Sequence, residues 1–148
     1  MKTTLQKEDN SSTALIRLFS TDLDGTLIGN PEATARFRLL WGRIPVSHRP
    51  LLVYNSGRMT ADVRQLVNDG LLTTPDYVIS GVGTEIFDAR SWDELTEFND
   101  QFRDGWDLSL VEKIVGAHPG VERQPPDFLH PYKSSWFLHR VTPEVIGE

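Results

Sequence analysis

Two aspartates, Asp22 and Asp24, stand two residues apart directly after an apolar run. Side chains with this spacing can reach one pocket, and two carboxylates in one place repel each other unless a cation lies beside them. A hard, oxygen-preferring ion such as Mg²⁺ suits these ligands, above all where a phosphate supplies further oxygens. One carboxylate could then attack phosphorus while the other handles the proton of the leaving group. The alternative is an ordinary acidic junction between a strand and a turn.

The elements around this pair agree with a ligand site. Residues 14–20 are mostly apolar, which predicts a β-strand buried in a sheet. Gly25 and Thr26 follow the aspartates and predict a turn at the carboxyl end of that strand. Open α/β sheets bind their ligands at that end.

A second apolar run also ends in residues that could bind an anion. Residues 51–54 predict a parallel strand covered on both faces, and a helix is predicted over 60–68. Between them lie Ser56 and Gly57, whose hydroxyl and backbone amides could hold a phosphate at the start of the helix. Arg58 could add positive charge there or point into solvent. A plain loop is the alternative for this segment.

The predicted elements alternate between strand and helix in the first half of the chain. A helix over 33–41 is predicted to follow Asn30 as its N-cap, and Thr60 is predicted to cap the next helix. A third strand over 77–80 is expected to continue past a glycine-rich segment into 85–87. Repeated strand–helix–strand units predict a doubly wound parallel sheet, so the predicted fold class is α/β.

The pattern changes after residue 88. A capping box from Ser91 to Glu94 predicts a helix start. The apolar residues of that helix would be Leu95, Phe98, Phe102 and Trp106. A second helix over 108–118 is predicted to bury Leu110, Val111, Ile114 and Val115. A final strand is predicted over 134–141, and the four histidines are too far apart in the chain to suggest a metal site.

Length, charge and composition exclude several classes of protein. The 148 residues suffice for one domain with a hydrophobic core, and 39% hydrophobic and 24% charged residues are ordinary for a soluble globular protein. The net charge of −6 argues against a nucleic-acid partner, and no apolar run reaches the length of a membrane span. The absence of cysteine is compatible with the cytoplasm, which is the location we expect.

The segment Asp22-Leu23-Asp24-Gly25-Thr26 resembles motif I of the haloacid dehalogenase (HAD) superfamily. This resemblance implies a HAD-like Rossmannoid core in which Asp22 is the nucleophile and Asp24 the general acid/base, with Mg²⁺ bound by the two aspartates. Ser56 is similarly placed to the residue of motif II that binds the transferring phosphoryl group.

A narrower resemblance is to the sucrose-phosphate phosphatase group, carried by residues 54–58, 74–86 and 131–138. It implies a Mg²⁺-dependent phosphatase acting on a sugar phosphate, with an α/β cap inserted after the third strand. We therefore divide the chain into a flexible tail over 1–13, the first half of the core over 14–88 and a partial cap over 89–148. In the cap, Lys133 is a candidate substrate contact; an exposed strand lysine is the alternative.

The resemblance also implies a lysine and an acidic loop beyond the cap, and residues 89–148 contain no convincing version of either. We therefore expect a fragment that stops within the cap, with little activity of its own and with incomplete sheet edges that favour self-association. Two other functions stay open. One is a non-catalytic phosphosugar-binding or regulatory module, and the other is phosphotransfer between sugar positions.

Overall fold

The computed structural model describes residues 16–140 and 142. Its regular elements form a five-stranded mixed sheet, four α-helices and a separate two-stranded sheet. In chain order they are β1 (Leu18–Thr21), α1 (Pro31–Arg43), β2 (Leu51–Asn55), α2 (Thr60–Asn68), β3 (Tyr77–Ser80), β4 (Glu85–Asp88), β5 (Asp93–Glu94), α3 (Thr96–Asn99), α4 (Leu108–Gly116), β6 (Val121–Arg123) and β7 (Trp136–Leu138).

The first three strands confirm the predicted α/β fold class. β1 pairs with β2 and β2 pairs with β3, both in parallel, and a helix lies between successive strands in the chain. The register aligns Thr21 with Tyr54, so the loops that follow β1 and β2 leave the sheet at neighbouring points. This topology brings the acidic segment after β1 and the predicted anion-binding segment after β2 together at the carboxyl ends of the strands.

The third strand does not continue in one direction as predicted. Residues 81–83 all have positive φ, at 58°, 64° and 88°, and the chain reverses through them into an antiparallel β3–β4 hairpin. Glycine at 81 and 83 tolerates this conformation, whereas Val82 is a bulky residue in an uncommon region. β5 then adds a two-residue antiparallel strand to the same sheet.

The core lies under β2 and β3, and the prediction that the first strand is buried was wrong. Leu52 and Tyr54 of β2 and Val78 of β3 are essentially inaccessible to solvent. In β1, by contrast, Leu18 is 56% exposed and Phe19 is 38% exposed. The reason is position: β1 is the outermost strand of the described sheet and has a neighbour on one side alone.

The two predicted helix caps had different outcomes. Asn30 caps α1 as predicted, because its side chain accepts hydrogen bonds from the amides of Glu32 and Ala33 at 3.1 Å each. Thr60 does not cap α2, which begins one residue earlier than that prediction requires, with Met59 at the cap position. The Thr60 hydroxyl instead lies 2.6 Å from the Ser80 hydroxyl at the end of β3.

The predicted capping box after residue 88 was also wrong. Ser91 accepts a hydrogen bond from the amide of Asp93, and Trp92 has a φ of 63°, which no helix permits. Asp93–Glu94 pair with β4 as a strand, so these residues cannot form the first turn of a helix. The long helix expected here is reduced to α3 and a short 3₁₀ turn, Asp100–Phe102.

The last third of the described chain forms α4 and the β6–β7 pair. Asp107 caps α4 through the amide of Leu110, and β7 confirms the middle of the predicted final strand, although Val141 lies outside the described residues. The predicted buried side of α4 was partly wrong, since Leu110 is 52% exposed and Ile114 is 63% exposed. β6 pairs with β7 in antiparallel orientation.

The predicted tail cannot be compared with the structure, and one feature of the helices bears on membranes. The tail over residues 1–13 lies outside the described residues. Within residues 16–140 and 142, no helix is both long enough and apolar enough to cross a bilayer.

Candidate functional site

The loop after β1 exposes both aspartates and buries the residue between them. Asp22 and Asp24 are exposed, whereas Leu23 is fully buried and packs in the core cluster with Leu52 and Tyr54. Burying a leucine is favourable by about 1.5–3 kcal/mol, so Leu23 anchors the segment to the core. The two carboxylates are therefore held on a fixed backbone and remain accessible to a ligand.

A tight turn shapes this loop. The carbonyl of Leu23 accepts hydrogen bonds from the amides of residues 26–28, at 3.2, 3.0 and 2.7 Å. Gly25 has a φ of 74°, a conformation that glycine adopts without the steric cost that other residues meet. The Thr26 hydroxyl donates to Asp22 Oδ2 at 2.9 Å and so orients that carboxylate.

The loop after β2 is hydrogen-bonded to β3 and is buried at its start. Ser56 is 3% exposed, and its amide donates to the Ile79 carbonyl of β3 at 2.9 Å. Its hydroxyl accepts from the amide of Arg58 at 3.2 Å, which folds the loop back on itself. No side chain among the described residues caps α2, which begins two residues after Arg58. The amide of Asp62 donates to the Met59 carbonyl at 3.1 Å, and the amides of Thr60 and Ala61 at the start of the helix could face an anion.

Arg58 joins the two loops through a paired contact with Asp24. Its Nε donates to Asp24 Oδ2 at 2.8 Å, and its terminal nitrogen donates to Asp24 Oδ1 at 2.6 Å. These hydrogen bonds hold the pKa of Asp24 below its usual value of 3.8. The side chains are 36% and 54% exposed, so water screens the pair and it adds little to stability. The contact matters for the chemistry of the site, because Asp24 stays ionised while Arg58 is hydrogen-bonded to it.

Lys133 reaches the same place from the other end of the chain. Its Nζ lies 3.4 Å from the carbonyl oxygen of Gly57, a contact between residues 76 positions apart. Of the predicted site residues, Asp24, Ser56, Gly57, Arg58 and Lys133 thus form one connected set of contacts. Asp22 lies two residues from Asp24 and is fixed separately by Thr26. The structure brings these side chains to one end of the sheet, and their roles stay predictions.

The donor chemistry of this loop suits a hard cation. Asp22 and Asp24 offer exposed carboxylate oxygens, the ligands that Mg²⁺ prefers. Both oxygens of Asp24 are engaged by Arg58 as the loop stands, so Arg58 has to move before Asp24 can become a ligand. The residues therefore fit the ion in kind.

A second cluster was missed from the sequence. Glu85, Glu94 and His130 each place a potential ligand atom within 4.8 Å of the others, the one group of this size found among the described residues. The sequence separates them by as many as 45 positions, and only the β3–β4 hairpin and the turn at His130 bring them together. No spacing rule could have found this cluster, although Glu85 lies within the segment that carries the resemblance.

Comparison with known proteins agrees with the fold and the motifs. Residues 15–148 match the family described as sucrose-6F-phosphate phosphohydrolase. The chain is 39% identical over 133 residues to mannosylfructose-phosphate phosphatase of Agrobacterium fabrum, covering 90% of this chain and 54% of that protein. It is 27% identical over 136 residues to sucrose-phosphatase 1 of Nicotiana tabacum, covering 89% of this chain and 32% of that protein.

A solved structure has the same fold. The sucrose-phosphatase of Synechocystis, determined in complex with sucrose and phosphate, superposes with a TM-score of 0.78 at 26% identity, covering 90% of this chain and 53% of that chain. The chain therefore spans about half the length, or less, of these relatives. On the family match and the 39% identity, the chain belongs to the sucrose-6F-phosphate phosphohydrolase family of HAD-like hydrolases.

Proposed function

We propose that this chain forms the nucleophile-bearing half of a phosphatase that hydrolyses a sugar phosphate, of the disaccharide phosphate kind. The observation that carries the proposal is the connected set from Asp24 through Arg58 to Ser56, with Lys133 at Gly57. It gathers carboxylates, a hydroxyl and two cations at the carboxyl ends of two parallel strands. The names of the relatives support a phosphorylated sugar as substrate.

The proposed reaction has two steps on the residues of this chain. A carboxylate oxygen of Asp22 attacks phosphorus, and the bond from phosphorus to the sugar oxygen breaks. Asp24 gives its proton to that leaving oxygen, and an aspartyl-phosphate remains on Asp22. Asp24 then takes a proton from a water molecule, which attacks the phosphoryl group and restores Asp22. Throughout, Ser56, the amide of Gly57, Arg58 and Lys133 bind the phosphate oxygens.

Mg²⁺ would be held by Asp22, and by Asp24 while that carboxyl carries no proton, and when bound it neutralises charge on the phosphate oxygens. A divalent metal is common to HAD-type phosphatases, and magnesium in particular is our proposal from the oxygen ligands. Preorganised charge of this kind is worth orders of magnitude in the rate of phosphoryl transfer.

Arg58 has to leave Asp24 for this sequence to run. A carboxylate that accepts two hydrogen bonds from a guanidinium is deprotonated near neutral pH and has no proton to give. A bound phosphate offers Arg58 a competing pair of oxygens. Transfer of the guanidinium to the phosphate would remove this lowering of the Asp24 pKa, and the negative charge of the phosphate beside the freed carboxyl would raise that pKa further, which favours the protonated acid.

The test is phosphate release from a panel of sugar phosphates. The 148-residue chain and the longest open reading frame that contains it are each assayed with Mg²⁺ and with EDTA. We expect release from a disaccharide phosphate such as sucrose 6-phosphate with Mg²⁺ and at least a hundredfold less with EDTA. Release that is unchanged by EDTA would reject the metal, and no release from any form would reject the phosphatase.

A second candidate function is a non-catalytic phosphosugar-binding module. The observation in its favour is that Arg58 occupies both oxygens of Asp24. This candidate predicts that sucrose 6-phosphate binds without being turned over, which calorimetry with the intact ligand recovered afterwards would show.

The layout of the chain also remains a proposal. We propose a core over residues 14–88 followed by a partial cap over 89–148. β6, β7 and α4 support a separate packing unit in the second part. A cytoplasmic location stays a prediction from composition.

A further inference from the structure

A buried carboxylate, Glu85, lies outside the aspartate loop and has no part in the reaction proposed above. It is 7% exposed, in the first position of β4. Its Oε2 accepts a hydrogen bond from the Ser80 hydroxyl at 3.0 Å, and its Oε1 lies 3.2 Å from Nε2 of His130. A buried carboxylate is costly unless it is paired and hydrogen-bonded, so these two partners are what makes its burial tolerable.

The tautomer of His130 is set by its neighbour. The amide of Tyr132 donates to Nδ1 of His130 at 3.3 Å, so in the neutral ring Nδ1 is the acceptor and Nε2 carries the hydrogen. Nε2 therefore faces Oε1 of Glu85, 3.2 Å away, with its N–H. A metal ion at Nε2 would require the proton on Nδ1, where it would face the Tyr132 N–H. The contact at Nδ1 thus favours a direct polar contact between His130 and Glu85 over a metal in the cluster that also contains Glu94.

His130 begins a closed turn that ends at Lys133. The amide of Lys133 donates to the His130 carbonyl at 2.9 Å, and the amide of His130 donates back to the Lys133 carbonyl at 3.5 Å. The indole of Trp106 donates to the Pro131 carbonyl at 2.8 Å and holds the outer side of the turn. Because the turn is closed, fixing His130 also fixes the backbone from which the Lys133 side chain extends.

Through Ser80, the contacts of Glu85 also extend toward the loop after β2. Ser80 lies 2.6 Å from the Thr60 hydroxyl at the start of α2, directly after the loop that contains Ser56, Gly57 and Arg58. Glu85 is therefore linked through Ser80 to the start of α2, and on its other side it contacts His130 of the turn over residues 130–133. At the far end of the turn the Lys133 ammonium lies at the Gly57 carbonyl.

We propose that Glu85 and His130 are positioning residues that hold Lys133 over the loop after β2, so that its ammonium contributes to phosphate binding. This inference rests on the proposed function, because it assumes that the loop binds phosphate. Glu85 and His130, which are 45 positions apart in the chain, would thus act on phosphate binding through Lys133.

The test is a double-mutant cycle on the affinity of the 148-residue chain for inorganic phosphate, measured by calorimetry. Lys133→Ala should weaken binding about tenfold, as expected for loss of one charge-assisted hydrogen bond. His130→Ala should weaken it about as much, and the double variant should be no weaker than Lys133→Ala alone. His130→Gln should retain most of the affinity, because its amide N–H can contact Glu85 in place of Nε2. His139→Ala, in an exposed histidine paired with Glu122, is the matched control.

The outcomes separate the inference from the function it rests on. Additive effects of His130→Ala and Lys133→Ala, or no effect of His130→Ala, would overturn the inference, as would a wild-type chain that binds no phosphate. Zn²⁺ binding to the wild type that His130→Ala abolishes would assign the cluster to a metal and also overturn it. Failure to hydrolyse any sugar phosphate would instead reject the phosphatase and leave a non-additive cycle standing.

Discussion

β1 and β2 are neighbouring parallel strands with similar apolar sequences, yet they and their loops differ in depth. In β2, Leu52 and Tyr54 on one face and Val53 on the other are all buried, and Ser56 follows at 3% exposure. In β1, Leu18 and Phe19 are largely exposed, and the aspartates that follow are open to solvent. The difference teaches that apolar content alone does not decide burial, because β2 lies between two strands of the described sheet and β1 lies at its edge.

The same comparison divides the site into a fixed half and an open half. The loop after β2 is tied to β3 by the Ser56 amide and to itself by the Ser56 hydroxyl. The loop after β1 is anchored by Leu23 but leaves its carboxylates outside. We therefore expect changes after β1 to alter chemistry with little effect on stability, and changes within β2 to do the reverse.

The largest effect is expected from Asp22→Asn. An amide is a poor nucleophile toward phosphorus, so phosphate release should fall at least about a thousandfold in any form of the protein that is active. The thermal midpoint should stay within about 2 °C of wild type because the side chain is exposed. Asp104→Asn, at another exposed aspartate, is the matched control. Retained turnover would reject Asp22 as the nucleophile, and a large loss of stability would break the comparison between the loops.

A pair of aromatic truncations measures the difference in depth directly. Tyr54 is fully buried and donates to the Thr73 carbonyl at 2.7 Å, so Tyr54→Ala should destabilise the fold by about 3–5 kcal/mol. Phe19→Ala should cost about 1–2 kcal/mol, because Phe19 is 38% exposed and contacts Phe37 and Trp41 on one side. Urea unfolding monitored by circular dichroism compares the two variants. Equal losses would contradict the assignment of β1 as the less buried strand.

Arg58→Gln tests the contact that joins the two loops. Because Arg58 lowers the folded-state pKa of Asp24, the pair stabilises the fold above the ordinary pKa of 3.8 and loses that contribution as pH falls through the lower folded value. The variant should raise the pKa of Asp24 toward 3.8 and remove this part of the acid dependence. The change in unfolding free energy at neutral pH should be below about 1 kcal/mol, since both side chains are partly exposed.

Carboxyl NMR titration of Asp24 measures that change in pKa. Arg103→Gln, which removes an exposed pair with Asp100, is the control and should leave Asp24 unaffected. An unchanged pKa in Arg58→Gln would mean that the contact does not persist in solution.

The smallest effect is expected at the exposed edge of β1. An edge strand with apolar side chains invites pairing with another chain, so we predict weak, concentration-dependent self-association of the 148-residue chain. Leu18→Lys should weaken it several-fold, because a charge on an edge strand opposes pairing. Leu71→Lys, at an exposed leucine in a connector, is the control. Sedimentation velocity over a range of concentrations measures both, and a monomeric wild type would contradict the prediction.

The sequence predicted the structure correctly where a local pattern of residues was compatible with one type of element. The apolar strands and the helices between them predicted parallel pairing of β1, β2 and β3, and Asn30 capped α1 as its residue type predicts. The proximity of the aspartate loop to the serine loop also followed, because parallel strands bring their carboxyl ends to one edge.

Local signals failed where a competing contact was available. Ser91 and Glu94 have the spacing of a capping box, but pairing of Asp93–Glu94 with β4 took precedence over the helix. The segment after β3 reads as one strand, but three successive residues with positive φ reverse it into a hairpin. In each case the energy of pairing with a neighbouring strand outweighed a preference worth about 1 kcal/mol per residue.

By itself, then, the amino-acid order determined the α/β class, the first three strands and the identity of the residues that could handle a phosphate. Only the tertiary structure decided that Arg58 lies on Asp24, that Lys133 meets Gly57, and that Glu85 and His130 form a buried pair. The physical reason is distance along the chain. Contacts between residues 34, 76 and 45 positions apart depend on how whole elements pack, and no local pattern of residues encodes that packing.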